Sequence, residues 1–288
     1  MKKYPELNDV SQAALIRAAQ TAVAGALAGD FPADPIIGTE LSRAMSCIGS
    51  VVKRHGKLIE MAIAGALVAS DRFIVVPNAE LPLTKGAAQL LDAKNSDLNL
   101  SKIKLSVDSE ADGIVNVDLV VVDPEASWAG VYEIKRGNGV TEHGKRRPIL
   151  RKLKAGRLVL ASYVRQLGYG HVETVTSAVI DYCGASGFDP NFTLTRDQLD
   201  EHFGVPVVAT VDAVTAAARE ALEVELPTLL GPVFDRMTLP TQEATAATLI
   251  DNEAPTEDAA MRGSVVRTLT APPTGPGMRA SRNPQTRH

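Results

Sequence analysis

Apolar and polar residues repeat with two different periods along this chain, and each change of period marks an element. Residues 9–28 carry an Ala-rich apolar stripe behind Asp9 or Ser11, either of which suits an N-cap, and the stripe stops at Gly29-Asp30, which predicts a helix. Two prolines make 31–38 a connector. The helical period returns over 39–70, with Gly49 and Gly56 as points where a helix is weakened. In its second half Glu60 shares a stripe with Ile63, Ala64 and Leu67. Leu58, Met61 and Val68 make the other faces apolar as well, so Glu60 is expected to face inward.

A period of two then takes over. Residues 71–77 and 103–107 read as strands, with a short helix over 86–94 between them. The β-branched runs 114–122 and 131–134 flank Asp123-Pro124-Glu125-Ala126-Ser127, which breaks the pattern and turns the chain, so 113–136 is an antiparallel hairpin. Gly137-Asn138-Gly139 leads into a helix over 148–167. A strand over 171–182 should pair beside the hairpin. Past Gly184 the pattern predicts a Thr-capped helix at 195–203, a strand at 205–210 and a helix at 213–224 that Pro227 bends or ends. These last elements are expected to pack, or to embrace a binding partner or form a homodimer contact. From 238 onward Pro, Thr, Ala and Gly dominate, and such a segment buries too little apolar surface to offset its ordering entropy, so a disordered tail is expected. The organisation is therefore a helical segment over 1–40, an α/β core over 41–185, a helical extension over 186–237 and a tail over 238–288.

Composition narrows the chemistry. With 288 residues, 45% of them hydrophobic, the chain can bury a sizeable core. Two cysteines, Cys47 and Cys183, fit a reducing cytoplasm and are too few for a four-thiolate zinc site or an iron–sulfur cluster. No run approaches the roughly 18 apolar residues of a membrane span, and no leader pattern opens the chain, so a soluble protein without membrane contact is expected. The five histidines show no H-E-x-x-H spacing, and no G-x-S-x-G turn occurs.

The hairpin holds acids where a purely structural hairpin has none. Asp118 sits in the run Val-Asp-Leu-Val-Val-Val, where a desolvated charge must be paired, neutralised or bound to a metal. Side chains alternate along a strand, so Asp118 shares a face with Val120 and Val122, and Glu133 shares one with Lys135. Two converging carboxylates make a hard-oxygen site for Mg²⁺, and Lys135 projects a cation toward the same point. Metal, water and ammonium beside a phosphodiester are the parts that hydrolysis needs.

Asp118 followed fifteen residues later by Glu133-Ile134-Lys135 resembles the motif of the PD-(D/E)XK nuclease superfamily, which includes type II restriction endonucleases and RecB-like nucleases. Val117 stands where that family often has proline. The resemblance implies a restriction-endonuclease-like α/β core, a central mixed β-sheet flanked by helices. It implies that Asp118, Glu133 and the Ile134 carbonyl hold Mg²⁺, for which Mn²⁺ can substitute, and that Lys135 stands at the attacking water. The family's first helix commonly brings a glutamate to the metal, which casts Glu60 in that role.

Between Lys135 and Arg165 ten cations stand against the single acid Glu142 in a protein of net charge −4, which suggests a polyanionic partner. Arg136, Lys145, Arg146, Arg147, Arg151 and Lys152 are the expected phosphate contacts, and Arg54, His55 and Lys57 a further cluster before Glu60. Residues 139–146, GVTEHGKR, nearly spell a G-x-x-x-x-G-K-[ST] phosphate loop, but Arg146 replaces the metal-binding hydroxyl and Glu142 would repel nucleotide phosphates. The expectation is a Mg²⁺-dependent DNA endonuclease, with a type II restriction or defence role as one setting. The alternatives are a non-catalytic nucleic-acid-binding or interaction protein and, behind it, a nucleotide hydrolase.

Overall fold

The structure, a computed structural model, describes residues 11–93 and 95–238. Helix α1 (Gln12–Leu27) starts at Ser11, whose hydroxyl accepts from Ala14 N at 3.3 Å; Asp9 lies outside the described residues. Helix α2 (Thr39–Ala69) runs unbroken through Gly49 and Gly56, which border open space. Each glycine costs about 1 kcal/mol of helix propensity. Burial of Leu58, Ile59, Ala62, Ile63 and Leu67 outweighs that, because tertiary packing rather than propensity decides helix stability. The order continues with β1 (Ile74–Thr84), α3 (Lys85–Asp92), α4 (Asp97–Ser101), β2 (Ala111–Asp123) and β3 (Trp128–Lys135). It closes with α5 (His143–Gln166), β4 (Thr174–Asp181), β5 (Thr193–Thr195), α6 (Arg196–Phe203) and α7 (Val207–Thr238).

The strands form one mixed sheet in the order β1-β2-β3-β4-β5. The first three make an antiparallel meander, and β4 and β5 add in parallel, with α5 as the crossover that a parallel neighbour requires. One face of the sheet, with Leu119, Val121, Tyr132, Ile134 and Ile180, packs against α1, α2, α6 and α7. The other, with Val120, Val122, Ala129, Val131 and Val179, packs against α5. The architecture is thus α/β, a mixed five-stranded sheet flanked by helices.

Several elements differ from the sequence pattern, each for a local reason. The first strand begins at Ile74 and continues through Pro77 and Pro82 to Thr84, because β1 is an edge strand and a proline there loses no sheet partner on its open side. Residues 103–107 are not a strand: Leu105 N donates to the Leu158 carbonyl at 2.7 Å and Val107 N to Ser162 Oγ at 3.1 Å, so the alternating residues lie along α5 instead. Helix α5 begins at His143 rather than 148, with Pro148 near its N-terminal end, where few helix bonds are at stake. The expected strand at 205–210 is the start of α7, which passes Pro227 and Pro232 and reaches Thr238. Its buried residues, Val207 to Ala218, all precede the first proline, so water can satisfy the carbonyls those prolines leave free. Helix α4 and strand β5 carry no periodic signal. The tail expected over 238–288 lies, apart from Thr238, outside the described residues.

Asp123, 1% exposed at the end of β2, ties the hairpin to the neighbouring layer. Its Oδ2 accepts from Arg72 Nε at 2.8 Å, its Oδ1 from Ala126 N at 3.0 Å, and Arg72 Nη1 also reaches the Phe203 carbonyl at 3.3 Å. Arg72→Ala should lower unfolding free energy by about 2 kcal/mol, below the roughly 3–5 kcal/mol of a fully buried pair because the arginine itself is part-exposed. Urea denaturation measures it, and an unchanged midpoint would show that water replaces the guanidinium.

Candidate active site

Strands β2 and β3 pair from Asp123↔Trp128 to Leu119↔Tyr132 and then part. Upstream of Leu119, β2 stays with β1, and beyond Tyr132, β3 stays with β4 as far as Lys135↔Asp181. Asp118 lies in the crotch of this fork. Its Oδ2 accepts from Ile134 N at 2.7 Å, so a side chain replaces the lost backbone partner of β3. The N–H and C=O of one residue in an extended strand point to the same side, which turns the Ile134 carbonyl toward the same gap. Opposite Asp118 on β1, the ladder skips Asn78 between Pro77↔Leu119 and Ala79↔Val117, and Asn78 takes a left-handed φ of 48° that asparagine tolerates better than most residues.

Glu133 faces α5 and is 4% exposed. Lys135 Nζ donates to its Oε1 at 2.5 Å, and Lys152, reaching in from α5, forms an ion pair at Oε2. That second oxygen is buried and has no hydrogen bond of good geometry. From the other layer α2 supplies Lys57, whose Nζ meets Glu60 Oε2 at 2.5 Å and Asn78 Oδ1 at 3.1 Å. Burial raises the Asp118 pKa, the Glu133 carboxylate raises it further, and the Ile134 N–H, Lys135 and Lys152 only partly oppose this. Glu60 is also raised, by burial first, against its bond to Lys57 and with a contribution from Asp118. Each shift records a carboxylate held short of water beside another acid.

The structure therefore brings together Asp118, Glu133, Lys135 and the Ile134 backbone, and sets Glu60 within electrostatic reach of Asp118 and Lys135. Among the described residues no three His, Cys, Asp or Glu side chains are gathered into a metal cage. The turn after Lys135 is held by Gly137, at φ +69°, where a Cβ would stand 1.5 Å from Asp181 Oδ1. Asp181 in turn accepts from Gly184 N at 3.0 Å and Ser186 N at 2.8 Å, which fixes the end of β4 beside the site.

The basic stretch is less free than its composition suggests. Among the described residues six of its ten cations meet a carboxylate: Lys135, Lys145, Arg151, Lys152, Lys154 and Arg157. Arg146 donates to the Gly187 carbonyl. Arg136 lies close enough to His55 to help burial lower that imidazole's pKa. Arg147 is exposed with no carboxylate partner among the described residues. Arg54 and His55, expected among the phosphate contacts, lie in the middle of α2, bonded to the Gly25 carbonyl at 3.1 Å and to Thr215 Oγ1 at 3.0 Å. Sequence reasoning assigned Lys152 to phosphate contact and Lys57 to a basic cluster before Glu60, and it had no role for Asn78. Only the spacing of Lys57 and Glu60, three apart on one helix, carried a hint of that pair.

No family model, curated protein or solved structure matches the chain. No described helix is long and apolar enough to cross a membrane.

Asp118→Asn provides a test of the fork that is independent of activity, because the amide oxygen can still accept from Ile134 N. A carboxyl whose folded pKa is raised binds its proton more tightly when folded, so it destabilises the fold increasingly as pH climbs from the unfolded value, about 3.9, through the raised folded value. The variant should melt higher than the parent at pH 7, and the difference should vanish below about pH 3.5. Equal melting temperatures at pH 7 would mean that Asp118 is solvated.

Proposed function

We propose that the chain is a Mg²⁺-dependent DNA endonuclease of the PD-(D/E)XK kind. The observation that carries the reading is the fork, where the part-buried Asp118 and the buried Glu133 meet from diverging strands with Lys135 against Glu133. The donor set suits a hard cation: carboxylate and carbonyl oxygens, a buried Glu133 Oε2 that meets Lys152 without a hydrogen bond of good geometry, and an Asp118 whose raised pKa a nearby cation would reverse. Asp118, Glu133 and the Ile134 carbonyl are the residues to hold Mg²⁺, or Mn²⁺ in its place. When bound, such an ion supplies Lewis acidity at a phosphate oxygen and a water acidified toward hydroxide.

The chain's own residues supply the rest. Lys135, once its hydrogen bond to Glu133 is given up, has donors to orient the attacking water and to screen the phosphate's charge. Lys152 holds the second Glu133 oxygen from α5. Glu60, held by Lys57 and with its pKa raised, is suited to take a proton from ordered water. Exposed Lys145 and Arg147, at the start of α5, are placed to contact backbone phosphates.

A second reading, a nucleic-acid-binding protein without catalysis, is favoured by one observation: both oxygens of Glu133 already face lysines. Nicking of supercoiled plasmid decides between them. The parent should nick with Mg²⁺ and not with EDTA, Glu133→Ala should be inactive, and Lys135→Ala should lose at least about a hundredfold in rate. Absence of nicking by the parent across a Mg²⁺ and Mn²⁺ series would favour the binding protein. In Ca²⁺, which suppresses cleavage, Lys135→Ala should bind duplex within about threefold of the parent, because phosphate contacts dominate affinity. Replacing Lys145 and Arg147 together should lower the slope of log affinity against log salt by about 1.8, or about 0.9 per contact. An unchanged slope would place the duplex on another surface.

A further inference from the structure

Helix α5 shows a different face on its outer side from the one that carries Lys152 to Glu133. Positions 146, 147, 150, 151 and 154 form one stripe at helical spacing and close a cavity of about 480 Å³ with the loop 187–189. Its volume lies within the roughly 300–1,000 Å³ of pockets that take small molecules. Arg146, Arg147, Arg151 and Lys154 surround it, and Leu150 and Phe188 give it an apolar wall. Arg151 is matched by Asp92 at 2.8 Å and Lys154 by Asp97 at 3.5 Å. The one acid in the lining, Asp189, is occupied by its own turn, with Oδ1 accepting from Asn191 N at 2.9 Å. Arg146 and Arg147 have no carboxylate among the described residues, and the buried Arg146 Nε makes no hydrogen bond. Two guanidiniums without a carboxylate, Arg146 with one donor on the Gly187 carbonyl and Arg147, therefore line a cavity with an apolar wall.

That combination matches a nucleoside phosphate, since guanidinium forks pair with phosphate oxygens and an apolar wall takes the flat face of a base. A base within a duplex cannot enter, because its faces are stacked and its edges paired. Arg151 is the chain neighbour of Lys152, so one helix carries both the cavity and a lysine of the carboxylate site. We infer that this cavity binds one unpaired nucleotide of the nucleic-acid strand, its phosphate on Arg146 and Arg147 and its base on Leu150 and Phe188. The inference rests on the nuclease reading for its choice of a strand over a free nucleotide.

Calorimetry with the full chain and three probes tests the pocket: deoxyadenosine 5′-monophosphate, deoxyadenosine and inorganic phosphate. The monophosphate should bind at least about tenfold more tightly than either fragment, and Arg147→Ala should weaken it by about tenfold, the effect of one charge-assisted contact. Arg165→Ala, on the same helix outside the cavity, should leave it unchanged, and matching melting curves check that both variants are folded. Equal binding of the three probes, or no effect of Arg147→Ala, overturns the pocket. To distinguish strand from free nucleotide, a duplex with a three-nucleotide overhang is compared with a blunt duplex in Ca²⁺. The overhang should bind about fivefold more tightly, and Arg147→Ala should erase the difference. Equal affinity for the two duplexes, with monophosphate binding retained, assigns the cavity to a free nucleotide and overturns the strand inference. Mg²⁺-dependent nicking without monophosphate binding overturns the pocket alone, whereas monophosphate binding without nicking supports the pocket and overturns the nuclease reading.

Discussion

The arrangement of the site depends on one feature of the sheet: β2 and β3 do not remain paired along their whole length. Strand β2 is committed to β1 from Ala111 to Val122, and β3 to β4 from Trp128 to Lys135. The sheet's twist accumulates across those outer pairings, and the central ladder ends at Leu119↔Tyr132. A buried backbone N–H is left at Ile134, and burying it without a partner is costly. Asp118 supplies the acceptor. The same carboxylate that completes the backbone thus projects into the opening, and the next residue along the facing strand's inward series, Glu133, lies beside it.

The charges gathered there work against the fold. Asp118 and Glu60 are raised by burial, and Glu133 is almost fully enclosed. Lysines from three separate elements answer them: Lys57 from α2, Lys135 from β3 and Lys152 from α5. Buried ion pairs roughly balance desolvation at best, so a well-packed apolar cluster would hold these elements together as well or better. Perturbed carboxylates clustered with cations are a pattern that accompanies functional sites, and this supports the proposed chemistry without depending on any likeness to another protein.

The ion pairs of α5 also change how its charge is read. Composition shows ten cations and one acid between Lys135 and Arg165. Tertiary contacts bring in Asp92, Asp97 and Glu133 from other elements, so much of that charge is answered inside the protein. Among the described residues Arg136, Arg146, Arg147 and Arg165 remain without a carboxylate, and of these Arg146 and Arg147 lie together near the start of the helix, a smaller and more directional surface than a uniform basic face.

The sequence by itself determined the elements whose periodicity is strong and local: the buried α2 with Glu60 on its inward stripe, the hairpin, and the spacing that brings Asp118 to Glu133 and Lys135. Strand alternation and a short turn are enough for that, because both are set by residues close together in the chain. Tertiary structure alone decided the length of β1, since tolerance of Pro77 and Pro82 depends on which side of the strand lacks a neighbour. It also turned the alternating run at 103–107 onto α5 rather than into the sheet, because a period of two specifies a face and not a partner. The same holds at the site. That Asp118 would be buried among apolar residues was legible from its neighbours, but that Lys152 would turn inward, that Asn78 would stand opposite and that Lys57 would join them were not. Those contacts join residues 19 to 40 positions apart only where the sheet divides, and no local pattern encodes where a sheet divides.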